Sequence, residues 1–175
     1  MNLGVFMSFN RANPLSGEEN AVLGQPVYLL VVIIIAAAII TLFSLSLQNI
    51  IKDSQIHQVE YEIDTIMTEA TNMFEYADEG SIATVHVDFP TTLQFIVFGG
   101  LPTKDTREPT NLTLDENTNN NYYYVMNDGT LRVFHSNARF SSKNLAQMAI
   151  FHTGTYDLTL ELCYNDGKTY VTIYE

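Results

Sequence analysis

The chain has 175 residues, with 20 acidic side chains against 8 basic ones, a formal net charge of −12 and a single cysteine. Setting aside a membrane segment leaves enough residues for one modest domain. The acidic balance excludes a basic nucleic-acid footprint and a polybasic grip on anionic lipid. Cys163 alone makes neither an intramolecular disulfide nor a CxxC metal site, so the fold must hold itself together by packing.

Residues 1–25 read as a leader or cytoplasmic N-terminal segment. The stretch "PVYLLVVIIIAAAIITLFSLSLQNII" then begins at Pro26, and residues 20–51 carry no charge at all. A secretory signal needs a basic start and an apolar core of roughly 7–15 residues. Here Arg11 is the one base ahead of the run, Glu18 and Glu19 stand beside it, and the apolar core is too long. A bilayer-spanning helix needs about 20 apolar residues, and residues 26–47 supply them. Pro26 is expected in the first helical turn, where its missing N–H costs nothing. Ala36, Ala37, Ala38, Ser44 and Ser46 are small enough to let a second helix approach closely. Arg11 and Lys52 give the positive-inside rule little to count. The acidic bulk of the chain, with one glycosylation sequon at Asn111-Leu112-Thr113, reads as translocated.

Residues 48–79 continue as an amphipathic helix. Ile56, Val59, Ile63, Ile66, Ala70, Met73 and Ala77 alternate steps of three and four, a heptad seam. The other face holds Glu60, Glu62, Asp64, Glu69 and Glu75, and Gly80 is the expected stop. The seam packs either on the chain's own β domain or on neighbouring copies. An acidic face of this kind makes an unstaggered parallel pair repulsive.

From residue 80 to 175 the period shifts from 3.6 to 2, and a β-rich head is expected. "ATVHVDF" sets Val85, Val87 and Phe89 against Thr84, His86 and Asp88; "TLQFIVFGG" reads as a buried strand. "LPTKDTREPTNLTLDENTNNN" is a long surface loop with a short strand near residues 112–114. Two hairpins share the turn Asn-Asp-Gly, in "YYYVMNDGTLRVF" and "LELCYNDGKTYVTIY". Between them, "SSKNLAQMAIF" forms either a short helix or a crossover. The fold class is therefore α+β: a long N-terminal helix, transmembrane then amphipathic, followed by an antiparallel β-sheet or small β-sandwich of about six strands. Cys163 falls on the more polar face of its strand, and Tyr122, Tyr123 and Tyr124 are expected to serve core and hairpin packing.

Catalytic chemistry finds little support. His57, His86, His135 and His152 stand singly, with no HxxxH or HExxH to place two on one helical face. "DENTNN" has Asp115, Asn117 and Asn119 at alternate positions, but Asn120 where a calcium loop wants Gly and Met126 where it wants Glu. His135 and Ser136 are adjacent on a strand and so point to opposite faces. Gly99-Gly100 leads to Pro102 rather than to a helix start, so no phosphate cradle is implied. No catalytic, cofactor-binding or metal-ligating residue is expected, and no enzyme.

The order of leader, charge-free helix, amphipathic extension and β-rich head resembles the archaeal type IV pilin-like membrane-anchored proteins. "ENAVLGQPVYLLVV" carries the resemblance at residue level, with Gly24-Gln25 matching the family's cleavage pair of Gly before the cut and Gln after it. The chain departs from the pattern at Leu23, where a basic residue is common, and at Pro26, directly after Gln25. A cut at Gly24 leaves no glutamate near the helix start, whereas a cut at Gly17 leaves Glu18 and Glu19 leading the mature chain. The resemblance implies a structural surface subunit in the cell membrane, single-pass, with its C-terminal domain extracellular. Its partners would be the membrane, copies of itself along the N-terminal helix, a prepilin peptidase and the pilus assembly machinery, with no nucleic acid. The alternative is an uncleaved single-pass protein whose extracellular β domain binds a partner or ligand.

Overall fold

The computed structural model describes residues 18–103 and 108–175, with side chains from residue 26 onward. The segment of residues 1–17, and with it the Gly17 cut, lies outside the described residues. The chain divides into two units, Met1–Ile50 and Ile51–Glu175.

Helix α1 runs Glu18–Tyr76. Pro26 therefore lies inside the helix and not in its first turn, which corrects the sequence expectation. Glu18, Glu19, Ala21 and Leu23 extend helix ahead of the proline, which withdraws only one N–H from the ladder. In the first unit the apolar side chains are exposed on every side: Tyr28 is 73 % accessible, Leu42 69 % and Phe43 68 %. The segment is long and apolar enough to cross a membrane. Two of its hydroxyls are also satisfied within the helix. Thr41 donates to the Ala37 carbonyl at 2.8 Å and Ser44 to the Ile40 carbonyl at 2.9 Å, as a hydrocarbon surrounding requires.

In the second unit, Ile56, Val59, Ile63, Ile66, Ala70 and Met73 are all buried, in one core with residues from two β-sheets. The chain's own head thus covers the seam. The helix ends at Tyr76, a few residues before the expected stop. Gly80 adopts a φ of +84° and its N–H reaches the Leu162 carbonyl at 2.8 Å, turning the chain into the sheet.

Eight strands follow: β1 (Ile82–Phe89), β2 (Leu93–Phe98), β3 (Asn121–Met126), β4 (Leu131–His135), β5 (Phe140–Ser141), β6 (Ala149–Phe151), β7 (Gly154–Asn165) and β8 (Lys168–Tyr174). They form two four-stranded sheets, ordered β1-β7-β8-β5 and β4-β3-β2-β6, antiparallel except where β5 runs parallel to β8. The fold is α+β as expected, and of the two expected arrangements of the head, one sheet or a sandwich, the strands form two sheets, with eight strands rather than about six. In the first sheet Val85, Val87 and Phe89 face the helix together with Leu158, Leu160, Leu162, Val171 and Ile173. Ile96, Phe98, Tyr124 and Met126 face it from the second.

The second sheet is covered on both sides. Phe95, Val97, Tyr123 and Val125 form a smaller core on its outer face with Leu131, Met148 and Ile150. This double burial explains why β2 reads as continuous apolar sequence. It also places Tyr123 and Tyr124 in two different cores, with Tyr122 half-buried beside the helix. Residues 142–148 make a crossover between sheets, with Leu145 at φ 58°, and not a helix. The expected short strand survives as a bridge between Thr113 and Gln147.

The two Asn-Asp-Gly turns differ. At β7–β8 both Asp166 and Gly167 have positive φ, 48° and 80°, as a tight two-residue hairpin demands. At β3–β4 only Gly129 does, at 82°. There Asp128 accepts a hydrogen bond from the Thr130 N–H at 2.8 Å and pairs with Lys52 at 2.7 Å.

Candidate functional site

A groove of about 560 Å³ lies between α1 and the β3–β4 hairpin. The helix supplies His57, Glu60, Tyr61, Ile63 and Asp64, which its periodicity places along one side. The hairpin supplies Tyr122, Arg132 and Phe134. Antiparallel pairing sets Tyr122 opposite Phe134 and Tyr124 opposite Arg132, so all four project toward the helix. The rings of Tyr122 and Phe134 stack at 5.1 Å and 10°, and Tyr124 continues the stack on Phe134 at 6.0 Å.

Glu60 is the polar hub of this groove. Its Oε1 accepts from the Tyr124 hydroxyl at 3.0 Å and from Arg132 Nη1 at 3.1 Å. His57 Nδ1 lies 3.8 Å from its other oxygen. Burial, and then the carboxylate of Glu60, push the Tyr124 hydroxyl well above its ordinary value. Burial and the charges of Asp64 and Glu60 raise Tyr122. These phenols stay protonated and donate. The Arg132–Glu60 pair is half-exposed, so its net worth is at most about 1 kcal/mol; its larger effect is to fix where Glu60 and Arg132 point. Chemically the groove offers hydrogen-bond donors and acceptors over an aromatic base, with no nucleophile paired to a base.

The residues singled out from sequence do not converge. Gly24 and Gln25 belong to the helical backbone of α1, and their side chains lie outside the described residues. Asn111 is exposed. His86 Nδ1 sits 2.7 Å from Asp157 on the outer face of the first sheet, and that hydrogen bond holds the imidazole above its ordinary value. His135 faces Asn121 at 3.2 Å and His152 faces Glu108 at 3.2 Å. Among the described residues, no three His, Cys, Asp or Glu side chains are grouped to hold a metal ion. Asp115 Oδ1 is engaged by the Asn117 N–H at 2.9 Å, a local turn within the loop. Ser136 accepts from the Ala138 N–H at 3.1 Å and is not turned to His135. Burial, and then Glu161, raise the Cys163 thiol, the opposite of an activated thiolate.

Sequence reasoning missed the Glu60–Tyr124–Arg132 network and the Lys52–Asp128 pair. The signals were weak but present. Lys52 is the one Lys or Arg in the amphipathic stretch, and Arg132 is the one charged residue inside its strand. Comparison with protein-family models, with curated proteins and with solved structures gives no match.

Proposed function

We propose that this chain is a pilin-like structural subunit of the cell surface, anchored through residues 26–47 and assembling by self-association of that segment. One observation carries the reading: the charge-free part of α1 is apolar and exposed all round, whereas the seam of residues 56–73 is already covered by the chain's own head. The surface left for copies of the chain is therefore the membrane segment itself. Packing such helices against one another would hold a filament without covalent bonds. No enzymatic activity is proposed, and the prepilin peptidase and assembly machinery are partners on this reading.

The test is an N-terminal peptide map by mass spectrometry of the protein taken from native membranes. A mature terminus at Gln25 or Glu18 is the expected outcome. A second arm places a charge in the segment: Ala37→Glu should abolish filaments and membrane retention together, because a carboxylate at the bilayer centre costs about 2.5–3.5 kcal/mol on insertion scales. A second reading is favoured by the groove at Glu60: an uncleaved single-pass protein whose head binds a partner or ligand there. Recovery of peptides from residues 1–11 in the mature protein would support it and overturn processing.

A further inference from the structure

The long loop between β2 and β3 contains the chain's single Asn-X-Ser/Thr sequon, Asn111-Leu112-Thr113. The structure holds this tripeptide in an extended run. Asn111 and Thr113 are exposed, while Leu112 and Leu114 are partly buried on the other side. The leucine side is pinned. The Met148 N–H donates to the Leu112 carbonyl at 2.8 Å, and the Leu114 N–H donates to the Ala146 carbonyl at 2.9 Å.

The two exposed side chains are coupled. The Thr113 hydroxyl donates to Asn111 Oδ1 at 2.7 Å, and the Thr113 backbone N–H donates to the same oxygen at 3.0 Å. The amide oxygen is thus engaged inward by residue 113. The Asn111 Nδ2 amide nitrogen makes no hydrogen bond among the described residues, in a side chain open to solvent.

We propose that Asn111 is an acceptor site for N-linked glycosylation, with a polyisoprenyl-phosphate-linked oligosaccharide as the donor class. In the transfer, Nδ2 attacks the anomeric carbon of the first sugar. The C–N bond forms as the bond from that carbon to the phosphate oxygen breaks. The lipid phosphate leaves with the electron pair, and Nδ2 loses one proton, so the product is a neutral substituted amide. Thr113 is the recognition residue of this site: its hydroxyl fixes the amide plane and marks the asparagine. The proposal rests on the reading that the head is translocated.

The test uses full-length protein purified from its native cells. The tryptic peptide of residues 108–132 is expected to carry a glycan whose fragment ions localise to Asn111. Asn111→Gln should remove the added mass completely. Thr113→Ala should remove it as well, whereas Thr113→Ser, which keeps the hydroxyl, should retain it at reduced occupancy. In parallel, intact cells are treated with a membrane-impermeant amine reagent that reads the exposed Lys143. Lys143 labelled with Asn111 bare would overturn the glycosylation and leave the translocated head standing. Lys143 protected with Asn111 bare would overturn both. A glycan that persists in Thr113→Ala would overturn the role given to the sequon.

Discussion

Gly99 and Gly129 share a left-handed backbone, at φ +94° and +82°, but they answer to different constraints. A Cβ on Gly99 would stand 2.6 Å from the Phe140 carbonyl oxygen, where the chain passes close to β5. A Cβ on Gly129 would meet nothing within 4 Å. Gly129→Ala is therefore expected to cost about 1–2 kcal/mol, the conformational penalty alone. Gly99→Ala adds a backbone clash to the same penalty and should cost clearly more, about 3 kcal/mol or beyond. Thermal melts of the detergent-solubilised full chain compare the two directly. Asp128 gives a second measurable quantity. Its hydrogen bonds with Lys52 and Thr130 hold its carboxyl down at about 2. A depressed carboxyl adds stability that is fully present above its unfolded value near 4 and is lost as pH falls toward 2. The stability gap between wild type and Asp128→Asn should thus be about 1 kcal/mol or less at pH 6, given the exposure of the pair, and should close by pH 2. Sequence reading had anticipated that Asn-Asp-Gly turns the chain at both hairpins. It could not anticipate that Asp128 adopts an ordinary backbone, because that depends on register: the Met126 N–H meets the Thr130 carbonyl across a three-residue loop with positive φ only at Gly129, whereas Asn165 pairs with Lys168 across two residues.

The amphipathic half of α1 is where the sequence was most legible. Six of the seven apolar positions at steps of three and four became buried side chains, and Ala77, just past the helix end, is partly buried against the same core, since a seam of that period meets a sheet only along one line. Ile66 is fully buried at its middle. Ile66→Ala should destabilise the head by about 2–5 kcal/mol. Tyr61→Ala, on the 71 %-exposed face, should stay within about 0.5 kcal/mol. Denaturant titration followed by tyrosine fluorescence separates these outcomes. Strands β1 and β2 were legible for the same reason, one by alternation and one by unbroken apolar sequence. Strands β5 and β6 were not. They span only Phe140–Ser141 and Ala149–Phe151, too short to show any period, and their pairing with β8 and β2 is decided by the crossover between them.

Across the whole chain, the distant pairings are what the sequence withheld. Glu60 meets Tyr124 and Arg132 because the helix and the β3–β4 hairpin press on one core, and nothing local in either segment announces the other. The long apolar segment, by contrast, was plain from composition, since residues 20–51 carry no charge and residues 26–47 are mostly apolar, enough to cross a bilayer as a helix. The sheet order β1-β7-β8-β5 has a consequence for how the chain matures. Strand β1 is made directly after the helix, yet its partner is β7, which appears only after the loops and all four strands of the second sheet have been synthesised. At synthesis rates of roughly 5–20 residues per second, β1 waits for some seconds with Val85, Val87 and Phe89 uncovered. During that interval the side of the helix seam that the first sheet covers is bare as well, because β7 and β8 do not yet exist. The nascent chain thus trails an adhesive, half-made head, guarded by the interleaved Thr84, His86 and Asp88 and by a row of acidic side chains on the helix. The surplus of negative charge, which plays no part in the finished core, then acts as a solubility reserve for the unfinished one.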